Sequence, residues 1–297
     1  MNNNYKSAFI SIIGKPNVGK STLLNSLLNE KIAITSPKVQ TTRHLITGIL
    51  NKDENQFIFI DTPGIHKPLH SLGKSMEQQT FSTLNDVDLI MWVVDRKFHF
   101  SDEIILNNLK KLNIPVCLVI NKIDLFKSKS EIDEIILSFI NRYNFDEVIP
   151  ISAKDNTHLN HLINSLKKYL KEGPLYYPKD YITDQSDALR ISELIREKIL
   201  YHTKEEIPHS VFVKIENMTN NKDLKTLDIN ALVYVERNSQ KGILIGKDGS
   251  LLKKIGKEAR LEINKIFNLK SHLEIFVRVE KNWRNNPRII KSQYEGN

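Results

Sequence analysis

Cysteine, long apolar runs and a secretion-type start are scarce or missing in this sequence. The single cysteine, Cys117, cannot form an internal disulfide, and its place in the apolar run Pro115–Ile120 favours a buried structural residue over a nucleophile. No stretch approaches the roughly 18 to 20 apolar residues needed to cross a bilayer. Residues 1–6 lack the basic, apolar and small-residue pattern of a signal peptide. We therefore expect a cytoplasmic protein.

Composition and charge are more informative once they are placed along the chain. The 297 residues, 40% hydrophobic and 26% charged, can bury ordinary cores, and the length favours two domains. Residues 210–297 hold 17 Lys and Arg against 10 Asp and Glu, so +7 of the net charge of +8 lies in this segment. The excess indicates either a polyanionic partner or a solvated basic face.

From Ala8 to about Leu170, short β-branched runs alternate with longer helical patterns. This alternation predicts an α/β domain with a mostly parallel sheet and crossover helices. Continuous apolar runs favour strands that are covered on both faces. The predicted strands are Ala8–Ile13, Phe57–Ile60, Leu89–Val94, Val116–Ile120 and Val148–Ile151.

The helical pattern stops at Glu172–Pro178, where one glycine and two prolines disfavour a helix. We expect a first domain over 1–172, a linker over 173–184, a second domain over 185–282 and a tail over 283–297. The second domain reads as an α-β-β-α-α-β unit. Its predicted elements are Asp187–His202, Ser210–Glu216, Ile229–Arg237, a Gly-punctuated turn, Ser250–Phe267 and His272–Val279.

A phosphate-loop pattern lies between the first predicted strand and a helix over Thr22–Leu28. Glycines let backbone N–H groups wrap phosphates, Lys20 reaches the β- and γ-phosphates, and the Ser21 hydroxyl ligates Mg²⁺. The strand-loop-helix context makes the pattern specific. Its residues are Gly14, Lys15, Pro16, Asn17, Val18, Gly19, Lys20 and Ser21.

Two further segments predict the metal and γ-phosphate contacts. Asp61, Thr62, Pro63 and Gly64 follow the second predicted strand. We expect Asp61 to hold Mg²⁺ through water, and the Gly64 amide to approach the γ-phosphate. Within Gln40–His44, Thr41 or Thr42 should complete the Mg²⁺ shell, and we favour Thr42 over a turn threonine.

A third segment predicts the choice of base. Asn121, Lys122, Ile123 and Asp124 follow a buried strand. The Asp124 carboxylate can accept hydrogen bonds from guanine N1–H and N2–H₂, whereas adenine offers no such pair of donors. A backbone N–H at Ser152 and Ala153 would contact the guanine carbonyl. The segment therefore predicts a preference for guanine nucleotides over adenine nucleotides.

One expected catalytic group is missing. In the Ras-type mechanism a glutamine after the Asp-Thr-Pro-Gly segment orients the attacking water, but here Ile65 stands in that place. We expect slow intrinsic hydrolysis and another group or ion that positions the water. The adjacent His66 reads as an exposed loop histidine.

With these motifs in place, the chain resembles the Era-type GTPases of bacteria from Ala8 to about Trp283. The resemblance includes the phosphate loop, Gln40–His44, Asp61–Gly64, Glu172–Pro174 and Gln240–Gly249. The last segment holds a loop similar to the GxxG loop of a type II KH domain, which is an α+β fold. The resemblance implies GTP hydrolysis coupled to binding of the 3′ end of 16S ribosomal RNA in 30S assembly, and peripheral membrane association. It also implies a K⁺ ion beside Asn17. We also expect a monomer.

The residues of the second domain predict a binding site for single-stranded RNA. The turn Gly246–Gly249 allows close approach of a nucleic-acid backbone, and the helix start after Gly249 favours phosphate. Asp248 should point outward. We expect Ile243, Leu244 and Ile245 to contact bases and Lys241, Lys247, Lys253 and Lys254 to contact phosphates. We expect a core made of Phe212, Leu251, Leu252, Ile255, Ala259, Ile263, Ile266 and Phe276.

Three functions compete on these observations. The first is a regulatory GTPase that binds RNA. The second is a membrane-remodelling or metabolic GTPase whose C-terminal domain is only structural, against which the +7 charge and the GxxG loop argue. The third is a tandem GTPase, which would need a second set of nucleotide motifs that the sequence lacks.

Overall fold

The computed structural model describes residues 5–38, 40–65, 70–221 and 225–294, which form two compact units. The first unit consists of residues 5–33, 42–65 and 73–184. The second consists of residues 185–294 together with two short segments of the N-terminal half, 34–41 without residue 39 and 70–72. Nothing in the sequence indicated that these two segments leave the first unit. In the described part of the chain, no helix combines the length and apolar character required to span a membrane.

The first unit is built on a mostly parallel sheet with the strand order β2-β3-β1-β4-β5-β6. Strand β1 pairs in parallel with β3 and β4, β2 runs antiparallel to β3, and the short β7 pairs with the start of β1. The strands are β1 (Lys6–Gly14), β2 (Ile46–Lys52), β3 (Asn55–Asp61), β4 (Leu89–Val94), β5 (Val116–Ile120), β6 (Glu147–Pro150) and β7 (Lys171–Glu172). The predicted parallel sheet is confirmed, although β2 and β7 were not expected.

Helices cover both faces of this sheet, which explains its continuous apolar strands. One core joins the sheet to α1 and α5, and another joins it to α3 and α4. Cys117 is fully buried in the first of these cores, and burial raises the pKa of its thiol to about 12, so the structural interpretation is confirmed. The helices are α1 (Lys20–Leu28), α2 (Ser71–Thr83), α3 (Glu103–Leu109), α4 (Lys129–Ile140) and α5 (Leu159–Leu166).

The second unit packs helices on a small mixed sheet of order β10-β9-β8, in which β9 is antiparallel to β8 and parallel to β10. Its core joins the inner face of β9 to α6 and α9. This is the expected order with two short added helices, one before β8 and one after β10. The elements are α6 (Asp187–His202), α7 (Ile207–Ser210), β8 (Phe212–Asn221), β9 (Thr226–Val235), α8 (Asn238–Ile245), α9 (Ser250–Phe267), β10 (Lys270–Val279) and α10 (Pro287–Tyr294).

Two features of the second unit differ from the sequence interpretation. Phe276 is 55% exposed, because β10 is an edge strand and this side chain lies opposite the core-facing Ile275 and Val277. The segment assigned to the tail begins inside the fold. Trp283 is fully buried, its ring lies 5.8 Å from that of Phe212, and its indole N–H donates to the Ser210 carbonyl at 2.8 Å.

Candidate functional site

The phosphate loop connects the end of β1 to the start of α1. The Lys20 ammonium is buried and donates to the carbonyls of Gly14 at 3.3 Å and Lys15 at 3.1 Å. Asn17 and Gly19 adopt positive φ angles of 65° and 95°, which turn the backbone between strand and helix. The N–H groups at the start of α1 lie at the end of this turn, where a phosphate is favoured.

Gly19 is required by a close neighbour as well as by its φ angle. A Cβ atom there would lie 2.3 Å from Nδ2 of Asn121. That amide donates to the Val18 carbonyl at 2.9 Å, and its Oδ1 accepts from the backbone N–H groups of Lys122 at 2.8 Å and Ala153 at 3.0 Å. Asn121 therefore ties together the three loops that the sequence placed around the nucleotide.

The loop Asn121–Asp124, which the sequence predicts to select the base, has side chains held by partners on neighbouring loops. Lys122 Nζ donates to the Asn17 carbonyl and to Asp95, each at 2.6 Å. Ser152 Oγ donates to one carboxylate oxygen of Asp124 at 2.6 Å. Asp124 is exposed, so its carboxylate is accessible to a base. Asp95 was missed by sequence reasoning, although a carboxylate directly after β4 follows the rule that polar groups at parallel strand ends meet.

Three oxygen-bearing side chains converge where the sequence predicted a metal. Ser21 Oγ lies 2.7 Å from Thr42 Oγ1 and donates to Asp61 Oδ2 at 2.6 Å. Asp61 is fully buried, and within the described residues its Oδ1 has no hydrogen-bond partner. Hydroxyl and carboxylate oxygens suit Mg²⁺, and an orphaned buried carboxylate oxygen calls for a cation or water. These residues therefore fit the ion.

The two buried charges of the site are both destabilised by burial. Burial raises the pKa of Asp61 to about 6, against the opposing effects of Lys20 and the hydrogen bond from Ser21. Burial lowers the pKa of Lys20 to about 8, against the opposing effect of Asp61. A metal ion beside Asp61 and a phosphate beside Lys20 would each favour the charged form.

The segment after β3 lies against the phosphate loop. A Cβ atom at Gly64 would lie 2.8 Å from Cα of Pro16, so only glycine fits. Thr62 Oγ1 donates to the Ile12 carbonyl at 2.9 Å, and Pro63 is buried. The Ile65 N–H donates to the Gly14 carbonyl at 3.0 Å, and its side chain is buried in a core. Ile65 thus offers no polar side-chain atom to water, and His66 lies outside the described residues.

In the second unit, the GxxG loop separates α8 from α9. Gly246 has a φ of 73°, and a Cβ atom there would lie 2.9 Å from Cβ of Leu251. Asp248 is exposed with a φ of 52°, and Gly249 has a φ of 75° before the start of α9. The turn is therefore tight, and its two glycines leave the backbone open to the close approach of a ligand backbone.

The side chains around this loop divide into exposed and buried groups. Ile243 is 57% exposed and Ile245 is partly exposed, so both can contact bases. Leu244 is fully buried in the core of the second unit, so its expected base contact is wrong, because successive helical residues face different directions. Of the lysines, Lys241 is partly buried, and the exposed ones are Lys247, Lys253 and Lys254.

Comparisons with known proteins agree with this two-part arrangement. Residues 9–122 match the family described as 50S ribosome-binding GTPase, and residues 206–284 match the KH domain family. The chain is 46% identical over 289 residues to GTPase Era of Caldanaerobacter subterraneus subsp. tengcongensis, with 97% of each chain covered. It is also 46% identical to GTPase Era of a Thermoanaerobacter species, covering 97% of this chain and 95% of the relative.

Two solved structures share the whole fold, each with a TM-score of 0.93 and 39% identity. One is Era in complex with MgGDPNP and nucleotides 1506–1542 of 16S ribosomal RNA, covering 97% of this chain and 98% of that one. The other is a variant of Aquifex aeolicus Era bound to GDP and AlF₄⁻, covering 96% and 98%. With a nucleotide site, a GxxG loop and relatives of this identity over nearly its full length, the chain belongs to the Era family of GTPases.

Proposed function

We propose that this GTPase is a switch that binds the 3′ end of 16S ribosomal RNA and acts in assembly of the 30S subunit. The observation that carries the proposal is that one chain holds both a phosphate loop with Ser21 and Asp61 hydrogen-bonded beside it and a basic GxxG loop. A relative with the same fold binds MgGDPNP and nucleotides 1506–1542 of 16S ribosomal RNA together, which supports it.

In the nucleotide site, each residue group has a separate role. Lys20 neutralises the β- and γ-phosphates, while Ser21, Thr42 and Asp61 hold Mg²⁺. The Gly64 amide contacts the γ-phosphate, and Asp124 accepts from guanine. Mg²⁺ supplies charge neutralisation between the phosphates when it is bound.

The water-positioning group missing at Ile65 is replaced, in our proposal, by a K⁺ ion beside Asn17. Asn17 is exposed in the phosphate loop, and its carbonyl is fixed by Lys122 at 2.6 Å. Hydrolysis should be faster in K⁺ than in Na⁺ at equal ionic strength, and Asn17→Ala should abolish the difference. Single-turnover rates in the two salts test this, and equal rates for the unaltered protein would reject it.

In the RNA site, we propose that phosphates lie against Gly246, Lys247 and Gly249 and that bases rest on Ile243 and Ile245. Exposed apolar side chains beside a tight turn suit unstacked bases, and lysines suit the backbone. The remaining phosphate contacts come from Lys241, Lys253 and Lys254.

A titration with a 3′-terminal 16S fragment tests the switch. GTP analogue should tighten RNA binding relative to GDP, and linkage then requires RNA to favour the GTP form by the same factor, typically about 5- to 150-fold. Gly246→Asp should weaken RNA binding while nucleotide affinity stays unchanged, because the side chain would collide with Leu251 and repel phosphate. The matched control is Gly173→Asp, whose Cβ would have only the Lys171 carbonyl within 4 Å, at 3.9 Å.

Two results would refute the switch or the site. Identical RNA affinities with GDP and GTP analogue would remove nucleotide control of RNA binding. Unchanged RNA affinity in the Gly246 variant would move the RNA site elsewhere and would favour a C-terminal domain that is only structural.

We further propose a cytoplasmic monomer that associates peripherally with anionic membranes. The +7 charge of residues 210–297 supports attraction to an anionic surface. Co-sedimentation with phosphatidylserine vesicles should decrease as salt rises, and vesicle binding that is absent even at low salt would reject the association. Sedimentation velocity measures the oligomeric state.

A further inference from the structure

The solvent side of α9 in the second unit carries charge of one sign. Five basic side chains of this 18-residue helix are exposed, and α9, which the structure describes in full, has no exposed acidic side chain. A helix rises about 1.5 Å per residue, so these cations extend over roughly 18 Å. We call them the α9 basic face, and they are Lys253, Lys254, Lys257, Arg260 and Lys265.

The two acidic side chains of α9 are partnered by the neighbouring helix α6. Glu262 forms an ion pair with Lys198, and Glu258 Oε2 lies 2.7 Å from Nε2 of His202. Because side chains four residues apart in a helix share one side, both carboxylates lie at the same edge of α9, where α6 packs. The carboxylates of α9 therefore do not offset the charge of the α9 basic face.

An exposed aromatic ring lies at this same edge. Tyr201 of α6 is 75% exposed, and its ring meets that of His202 edge-on, with centroids 5.0 Å apart and an interplanar angle of 90°. Because His202 also contacts Glu258, the tyrosine ring is held beside α9. Leu261, four residues after Lys257 on the same side of the helix, is 55% exposed. The α9 basic face thus has an aromatic ring and an apolar side chain beside its cations.

An anionic membrane and a nucleic acid would both be attracted to such a face, but the observations favour a nucleic acid. The apolar side of α9 is buried in the core of the second unit through Ile255, Ala259 and Ile263, so it is not available for insertion among lipids. Cations beside an exposed ring are typical of sites for single-stranded nucleic acid, where cations follow the backbone and rings stack on bases. The helix also begins directly after Gly249 of the GxxG loop.

We propose that single-stranded RNA leaving the GxxG loop continues along α9, with phosphates at Lys257, Arg260 and Lys265 and one base stacked on Tyr201. This contact extends the RNA site of the proposed function, on which it rests. Lysine and arginine contact phosphate, and every base has a π-face, so the contact recognises features that all nucleotides share. It therefore depends on the length of the RNA and is independent of its sequence.

The first experiment measures how RNA length affects the affinity of the full chain. The short RNA is an oligonucleotide of about four nucleotides from the 3′-terminal region of 16S RNA, the number that a KH loop clamps. The lengthened RNA carries about six added uridines at its 5′ or its 3′ end, within the usual span of a single-strand site. One of the two tails should tighten binding by about 5-fold or more, as one stacked base would. No gain from either tail would overturn the proposal.

Two kinds of variant separate the phosphate contacts from the stacked base. With the lengthened RNA, the triple variant Lys257→Ala, Arg260→Ala, Lys265→Ala should lower the slope of log affinity against log salt by about 2, because each lost single-strand phosphate contact removes roughly 0.7. Tyr201→Ala should weaken binding by about 5-fold or more at an unchanged slope, and Tyr201→Phe should keep full affinity. Neither kind should change the affinity for the short RNA. An unchanged slope in the triple variant would contradict the path along α9.

The matched control removes three other exposed cations of the same unit, Arg278, Lys281 and Arg288, by substitution with alanine. Arg278 lies on the face of β10 opposite its core-facing neighbour Val277, and the other two residues follow β10. This control should leave the slope unchanged. An equal fall in the control would show that net charge alone sets the affinity, and the proposal would then be wrong.

Vesicle binding and the loop variant complete the test. Loss of binding to phosphatidylserine vesicles in the triple variant, together with full affinity for the lengthened RNA, would make this face a membrane surface and overturn the proposal. Gly246→Asp tests the loop site of the proposed function, because it should weaken binding of the short RNA. If it does and neither tail gives a gain, the loop site stands and the path along α9 is wrong. If Gly246→Asp leaves the affinity for the short RNA unchanged, the loop site itself is wrong.

Discussion

Charged side chains are buried in the nucleotide site but exposed around the GxxG loop. In the nucleotide site, Lys20 and Asp61 are buried, and their pKa values are shifted to about 8 and about 6 by burial. Around the GxxG loop, Lys247 and Lys253 are exposed. Buried charges depend on a few fixed partners, whereas exposed charges contribute small, salt-screened terms. A single substitution in the nucleotide site should therefore cause a large loss of nucleotide affinity, whereas a single substitution around the GxxG loop should lower RNA affinity only slightly.

The largest effect should come from Gly19→Ala. The added Cβ would overlap the amide of Asn121 at a positive φ, and displacing Asn121 would disconnect three loops at once. We expect GTP and GDP affinity to fall by about 1,000-fold, or about 4 kcal/mol. Fluorescent-nucleotide titration measures it, with Gly173→Ala as the control glycine. A loss below about tenfold would show that the site is more adaptable than its contacts indicate.

The next largest effect should be a change of base in Asp124→Asn. Ser152 can still donate to the Asn oxygen, which leaves the amide N–H₂ to face the base as a donor. GTP affinity should fall by about 100-fold, while XTP becomes the preferred nucleotide. Competition titrations with the two triphosphates test this, and an unchanged preference for GTP would remove Asp124 from base recognition.

A smaller effect should appear when the pH is lowered. In the proposed site the Asp61 carboxylate holds Mg²⁺. Its pKa is raised by burial to about 6, so protonation below that pH should compete with the metal. The affinity for Mg²⁺-GDP should fall by about tenfold from pH 7 to pH 5, and Asp61→Asn should flatten this part of the profile. Because the nucleotide phosphates also titrate, the informative quantity is the difference between the two profiles. Parallel profiles would contradict the prediction.

The smallest effect should come from Lys247→Ala in the GxxG loop. One lost contact with single-stranded phosphate should lower the slope of log affinity against log salt by roughly 0.7 and weaken RNA binding modestly. A salt series with the 3′-terminal 16S fragment measures the slope. Loss of RNA binding altogether would mean that this loop, like the nucleotide site, depends on single contacts.

The nucleotide site was readable from the sequence because each motif is short and follows a strand. Parallel strand ends meet at one edge of a sheet, so knowing that Gly14, Asp61 and Asn121 follow strands was enough to bring their loops together. Asn121 joins Val18 to Ala153 through two hydrogen bonds that no single motif contains. The grouping of these loops could be predicted from the sequence, but the hydrogen bonds between them could not.

The misreadings have a common physical cause. Leu244 and Phe276 were assigned by residue type, but their exposure depends on which side of a helix or strand faces the core. Nothing was predicted for Glu193 and Arg196, because their spacing of three residues on α6 is that of an ordinary surface ion pair. Their burial depends on a segment more than a hundred residues away in the chain, which no local pattern reveals.

The passage of the chain between cores at Ala33 and Ile34 also bears on how the protein is made. Synthesis proceeds from the N-terminus, and domains generally fold as units as they emerge. Ile34 leaves the ribosome long before Ile191 and Ile195, the residues with which it shares a core. A nascent chain ending near the linker would thus carry Ile34 without the core in which it packs. Ile34 reaches its final packing only after α6 has been made.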